Sequence, residues 1–263
     1  TEKGYATEVL TNNAITWLDQ RDKNKPFVLL FHHKAPHRNW TPESKYDREF
    51  RNRTIPEPAT LRDDYATRTD ALKENRQKVF DHLTRSDLKL APPSDLVRGT
   101  PAYQQWLHSV PREVTIEQDG QALTLTGAAL DAWKYQRYMQ DYLACVQSVD
   151  DSVGRLLDVL QEEKIDDETL VIYTSDNGFF LGEHGLYDKR FMYEETIRVP
   201  FIVRWPGAVA AGQRERALAI NVDFAPTFLE AAGQPVPADM QGRSLVPLLH
   251  GRKPADWRTS FYY

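Results

Sequence analysis

Three short, unbroken apolar runs constrain this chain most: "FVLLFHH" at 27–33, "TLVIYTS" at 169–175 and "VPFIVRW" at 199–205. Runs of this length read as strands covered on both faces, the pattern of parallel sheets packed between helices. The segments around them have helical spacing. Leu10, Ala14, Trp17 and Leu18 mark a helix from Ala6 to Gln20, which Asp22 to Pro26 then break. From Leu130 to Glu163, Trp133, Tyr138, Tyr142, Val146, Val149, Val153, Leu156, Leu157 and Leu160 keep a three-and-four spacing, predicting one long helix or two in line that meet near Gly154. Asn221 or Asp223 can cap a further helix running through Pro226 and Leu229 to Gly233. Strands separated by helices predict an α/β fold, a mainly parallel sheet flanked by helices.

Residues 38–129 differ in character. Half of the sixteen prolines fall between Pro36 and Pro111, mixed with charged stretches such as "REFRNR" and "LRDDYATR". This reads as a loop-rich insertion dividing the α/β domain into a first part, 1–37, and a remainder, 130–263. Inside it, "EVTIEQDGQALTLT" alternates on both sides of Asp119-Gly120, a favoured pair for a two-residue turn, so a β-hairpin is expected at 113–126.

A chain of 263 residues can bury a sizeable core, and its net charge of -5 offers no basic surface to a phosphate backbone, which argues against nucleic acid as a partner. The single Cys145 excludes an internal disulfide and a multi-cysteine metal site, and leaves the compartment open. No apolar run is long enough for a membrane span, and "TEKGYATEVL" lacks the regions of a signal peptide. The closing "WRTSFYY" reads like a strand in progress, so both ends look cut.

Two polar clusters follow predicted strands at the end where open α/β sheets bind ligands. His37 follows the first strand; Asp176 and Asn177 follow the second, with His184 and Lys189 downstream. A carboxylate beside an amide carbonyl supplies hard oxygens suited to Ca²⁺ or Mg²⁺. The plainer alternative is that Asp-Asn-Gly is only a turn. Lys189 can meet an anionic substrate, and His37 and His184 can hydrogen-bond it or protonate a leaving oxygen; as alternatives, Lys189-Arg190 is a solvated pair and His184 dresses a loop. His32 and His33 point in opposite directions if the strand persists, and neither is given a role.

"KAPHRNW", "YTSDNGFFLGEHGLYDKRFMYEETIRVPFIVRWPG" and "VDFAPTFLEAAG" together resemble the sulfatase family of the alkaline-phosphatase superfamily, and most closely its members that desulfate glucosamine-type sugars in glycosaminoglycans. The resemblance implies an alkaline-phosphatase-like fold, Asp176 and Asn177 as two Ca²⁺ ligands, His37 and Lys189 on the sulfate near its bridging oxygen, and a periplasmic or secreted location. It gives His184 no firm role beyond a loop at the substrate pocket. The family's nucleophile is a formylglycine made from the first residue of a Cys/Ser-x-Pro/Ala-x-Arg motif, and no such motif occurs here. Cys145 in "CVQSV" lacks the proline and arginine and reads as a small buried residue. "SVPRE" at Ser109 has its arginine one residue early. The expectation is therefore a sulfatase chain holding part of a site, inactive and weakly calcium-binding by itself, whose complete form acts on sulfated carbohydrate. Two alternatives are a phosphodiesterase or phosphonate hydrolase of the same superfamily, and a nucleophile-free module that binds sulfated glycan.

Arg38, Asn39 and Trp40 leave the strand end beside His37. They are expected to meet the sugar: Arg38 a carboxylate or second sulfate, Asn39 hydroxyls, Trp40 a pyranose face. The competing reading packs Trp40 under the loop and pairs Arg38 with Glu43 or Asp47.

Overall fold

The structure is a computed structural model that describes residues 2–118 and 120–262. In chain order it begins with α1 (Ala6–Gln20), α2 (Ser44–Arg51), α3 (Asp70–Lys73), α4 (Val79–His82), α5 (Pro101–Leu107), β1 (Val114–Gln118), β2 (Gln121–Leu125) and α6 (Gly127–Glu162). It continues with β3 (Val171–Thr174), β4 (Phe180–Leu181), β5 (Tyr187–Asp188), α7 (Glu194–Ile197), β6 (Phe201–Arg204), α8 (Phe224–Ala231) and α9 (Val246–Leu249). The chain divides into two compact units, Thr1–Val159 with Phe179–Lys189, and Leu160–Gly178 with Arg190–Tyr263.

In the first unit, α1 has the bounds its spacing predicts but turns a more polar stripe inward. Thr7, Thr11, Ala14 and Leu18 are buried, while Leu10 and Trp17 stay exposed. Thr11 is accommodated because its Oγ1 donates to the Thr7 backbone carbonyl at 2.6 Å and lies 2.5 Å from Ser152 Oγ, so its buried hydroxyl is satisfied. His33 Nε2 reaches the same Ser152 Oγ at 2.9 Å, so His33 is the histidine that turns inward and His32 is exposed.

The unit's spine is α6, whose 36 residues extend about 54 Å at ~1.5 Å per residue. Trp40, Leu61, Val79, Leu83 and Leu88 of the insertion pack against Tyr135, Tyr138, Met139 and Cys145 of α6 and against Tyr187. The insertion thus supplies much of the core, despite its prolines. Its hairpin forms as β1 and β2 with Gln118 opposite Gln121; Asp119 of the expected turn lies outside the described residues. Cys145 is 2% exposed, and burial pushes its thiol up to about 11, the behaviour of an inert core residue. Ser109 Oγ donates to Trp106 O at 2.5 Å, closing a local turn.

Helix α6 runs through Gly154 without a break, and a Cβ built there meets nothing within 4 Å. Gly154→Ala is expected to raise stability by about 0.5–1 kcal/mol, because alanine removes backbone freedom from the unfolded chain at no steric cost. Urea unfolding measures this, and a lower midpoint would show that the site is more crowded than it looks.

The second unit holds β3 and β6 as an antiparallel pair, with Tyr173 opposite Ile202. Its core gathers Leu245, Leu248 and Trp257 with Phe201 and Phe224, whose rings stack at 5.3 Å. Asp223 precedes α8 yet forms no side-chain cap. Its buried carboxylate instead pairs with the Arg258 guanidinium and accepts the N–H groups of Ile220 and Arg243, tying α8 to the chain's last segment.

The expected mainly parallel sheet is not present among the described residues. Their strands form three two-stranded antiparallel pairs, and residues 27–33 join no ladder. The physical reason is that an apolar run records a preference for covered faces and carries no information about the direction of its neighbour. Those faces are only partly covered here: Val28 and Leu30 are 73% and 65% exposed, and Ile202 is 61% exposed. No helix of the described residues is long and apolar enough to cross a membrane.

Candidate functional site

In the first unit, the segment after residue 33 turns sharply, with His37 N–H donating to Lys34 O at 2.8 Å. The exposed His37 ring places Nδ1 2.8 Å from Arg38 O. A carbonyl only accepts, so this contact puts the ring proton on Nδ1 and leaves Nε2 as the atom that exchanges a proton.

Arg38 and Asn39 are organised by Asp87, whose side chain is 1% exposed. Arg38 Nε donates to Asp87 Oδ1 at 2.7 Å, and Nη2 pairs with Oδ2. Asn39 Nδ2 donates to Ser86 Oγ at 2.8 Å and to Asp87 Oδ1 at 3.2 Å. Thr84 adds its N–H and hydroxyl to Oδ2 at 2.9 and 2.8 Å. Burial works against the Arg38 charge, yet the hydrogen bond and charge of Asp87 raise its pKa on balance. The guanidinium carbon sits 5.1 Å from the centroid of Tyr187, which fixes the plane of the group. Arg38 therefore pairs with Asp87, not with Glu43 or Asp47.

Trp40 is fully buried, with its ring centroid 4.6 Å from Tyr138, 6.0 Å from Tyr187 and 6.1 Å from Phe179. A side chain without exposed surface offers no face to a pyranose. The sugar-facing expectation is thus corrected for Trp40, which packs under the segment because its large apolar area is best removed from water.

The β4–β5 hairpin carries the other residues of this unit. Lys189 follows β5 with Nζ 3.7 Å from Asp188 Oδ1 and 5.9 Å from the Phe179 centroid, its side chain 22% exposed. His184 lies in the hairpin loop, where Nδ1 is 3.1 Å from Asp63 Oδ2. Arg38, Trp40 and Lys189 are thus brought to one hairpin through Tyr187 and Phe179. Asp87 and Asp63 were missed by sequence reasoning: both sit in charged stretches of the insertion, which read as solvated surface.

In the second unit, Asp176 is exposed and Asn177 half-buried, directly after β3. Ser175 Oγ donates to Asn177 O at 2.8 Å, and Asn177 Nδ2 donates to Gly178 O at 2.7 Å. That bond uses the amide nitrogen and leaves the side-chain carbonyl, beside the Asp176 carboxylate, as a second hard oxygen. Two oxygens fit a calcium ion in kind but fall short of the six to eight it takes. No group of three or more His, Cys, Asp or Glu arranged for a metal occurs among the described residues.

Residues 182–263 match the family model for the C-terminal part of N-sulphoglucosamine sulphohydrolase. The chain is 49% identical to N-acetylglucosamine-6-O-sulfatase of Bacteroides thetaiotaomicron, over 100% of this chain and 49% of that protein. It is 30% identical to N-acetylglucosamine-6-sulfatase of Homo sapiens, over 97% of this chain and 38% of that protein. It superposes on the solved structure of BT4656 in complex with its substrate D-glucosamine-2-N,6-O-disulfate with a TM-score of 0.87 at 45% identity, covering 100% of this chain and 56% of that one. The chain spans about half the length, or less, of these curated relatives.

Proposed function

Because the chain belongs to the sulfatase family of the alkaline-phosphatase superfamily, we propose that the full-length protein hydrolyses sulfate monoesters of glucosamine-type sugars by a calcium-dependent mechanism whose formylglycine nucleophile lies outside these residues. The similarity to two glucosamine-6-sulfatases across nearly the whole chain carries the substrate class. The absence of a Cys/Ser-x-Pro/Ala-x-Arg motif supports a nucleophile supplied from elsewhere.

Asp176 and Asn177 would contribute two oxygens to the calcium site. A bound calcium ion supplies positive charge that favours the deprotonated nucleophile. Lys189 places a cation toward the sulfate, stabilising negative charge as it builds on the departing oxygens. His37, with its proton held on Nδ1 by Arg38 O, can carry a second proton on Nε2 and pass it to the sugar oxygen as the S–O bond breaks. Arg38 is held by Asp87 through Nε and Nη2 with its side chain 32% exposed, and its remaining N–H groups can meet a second anionic group on the sugar.

The test compares the full-length protein with this chain alone on a 6-sulfated glucosamine and on an aryl phosphonate. The full-length protein is expected to release sulfate and to lose that activity to a calcium chelator, and the chain alone to be inactive. Faster turnover of the phosphonate would replace the sulfatase reading with a phosphonate hydrolase. Sulfate release by the chain alone would show that its nucleophile is among these residues.

A further inference from the structure

His184 has φ 55° and ψ 25°, a left-handed conformation uncommon for a residue other than glycine and kept only where the surroundings dictate it. One short stretch of the insertion does so. Thr60 Oγ1 accepts the His184 N–H at 3.0 Å, the Tyr65 hydroxyl donates to the His184 carbonyl, and Asp63 Oδ2 holds Nδ1 at 3.1 Å. Gly185 permits this approach, because a Cβ there would lie 3.0 Å from Leu61 O at a φ of +68°.

The two backbone contacts are enough to fix the path of the loop. The ring contact does something else. A carboxylate accepts and does not donate, so it sets the imidazole proton on Nδ1 and makes Nε2 the functional atom. The Phe180 ring, edge-on at 6.4 Å, further limits ring rotation. Asp63 is itself favoured as an anion: the Tyr65 backbone N–H at 2.8 Å is the largest influence and lowers its pKa, burial comes next and opposes it, and the His184 contact and the Arg68 charge lower it further, so that the balance lies below the usual carboxylate value.

We propose that Asp63 is a positioning residue that acts through His184, presenting Nε2 to a hydroxyl of the sulfated glucosamine and making residues 60–65 of the insertion a specificity element. The proposal rests on the sulfatase reading and moves discrimination away from Trp40. Asp63→Asn keeps an oxygen for the Tyr65 N–H and should fold.

Two measurements test it. In this chain, a low-field proton resonance from His184 Nδ1–H is expected in the native sequence, absent in His184→Gln and weakened in Asp63→Asn; an identical resonance in Asp63→Asn would overturn the pairing. In the full-length enzyme, Asp63→Asn should raise KM for the sulfated glucosamine roughly tenfold and leave turnover of an aryl sulfate unchanged, because only the sugar offers the hydroxyl. In a His184→Gln background the same substitution should have no further effect. Equal losses on both substrates, or additive losses in the double variant, would overturn the proposal and leave the sulfatase reading intact. Failure of the unsubstituted full-length enzyme to release sulfate overturns that reading and, with it, the sugar-facing role, while the resonance in this chain still decides the pairing.

Discussion

Asp141→Ala should destabilise the protein by about 3–5 kcal/mol, the cost of removing one partner from a buried charge network. Asp141 is completely buried on α6, and three cations converge on it. Arg51 Nη2 donates to Oδ1 at 2.9 Å, and Lys89 Nζ and Arg137 Nε lie 3.0 and 3.3 Å from Oδ2. The Oδ2 contacts have poor hydrogen-bond geometry, so their attraction is mainly Coulombic. Burial already lowers the pKa values of Lys89 and Arg137, and the charge of Asp141 is the largest opposing influence on each. Without it, cations 19–27% exposed would face one another with little water to screen them. Asp47, which also pairs with Arg51 but is 40% exposed, is the contrasting case: Asp47→Ala should cost no more than about 1 kcal/mol. Chemical denaturation of both variants decides it, and a loss below about 1 kcal/mol for Asp141→Ala would mean that water or the neighbouring carboxylate neutralises the cations instead.

The same network shows why the insertion was hard to read. Arg51 and Lys89 belong to stretches whose charges suggest solvated loop, and their partner lies more than fifty residues away on α6. Helices α1 and α6 were legible because periodicity is a local property. Pairing direction is not: β3 and β6 were found as strands, but that they run antiparallel, with Tyr173 opposite Ile202, depends on a contact that composition does not encode. Asp223 makes the point in miniature. Its place before a helix predicts a cap on α8, yet its carboxylate goes instead to Arg258, thirty-five residues on, and to the N–H groups of Ile220 and Arg243, partners that only the fold brings to it.

The residues of the candidate site were legible as a motif, and their supports were not. Asp176 and Asn177 stand out because they follow a predicted strand and their types suit calcium, and Lys189 because it follows in the same motif and its charge suits an anion. Asp87 and Asp63 give no such signal. Each becomes visible only when the fold brings it to Arg38 or His184. Trp40 illustrates the reverse error, since a tryptophan beside a binding segment is equally suited to packing beneath it, and its complete burial decides between the two.

On the calcium-dependent sulfatase reading proposed above, Gly178→Ala is expected to lower turnover of a sulfated glucosamine by the full-length protein on the order of 100-fold, although the substitution adds one methyl group and touches no side chain of the site. A Cβ at Gly178 would lie 2.1 Å from Glu195 O and 2.9 Å from Thr196 C, both backbone atoms that cannot swing aside. Ordinary contact begins near ~3.5 Å, so the loop must move by roughly 1.4 Å away from α7. The Gly178 N–H bond to Thr196 O at 2.8 Å resists that movement and would be the first interaction lost. Asn177 is tied to Gly178 by its side-chain amide, and Ser175 to Asn177, so the displacement carries the Asp176 and Asn177 oxygens with it. On the same reading, calcium affinity of the variant should fall in parallel while its urea unfolding midpoint stays near that of the unsubstituted protein, which separates a displaced metal site from a general loss of fold. Gly154→Ala, with open space around its Cβ, supplies the control and should turn over normally. Retention of both activity and calcium affinity by Gly178→Ala would mean that Asp176-Asn177-Gly178 is a turn and nothing more, with the metal held elsewhere.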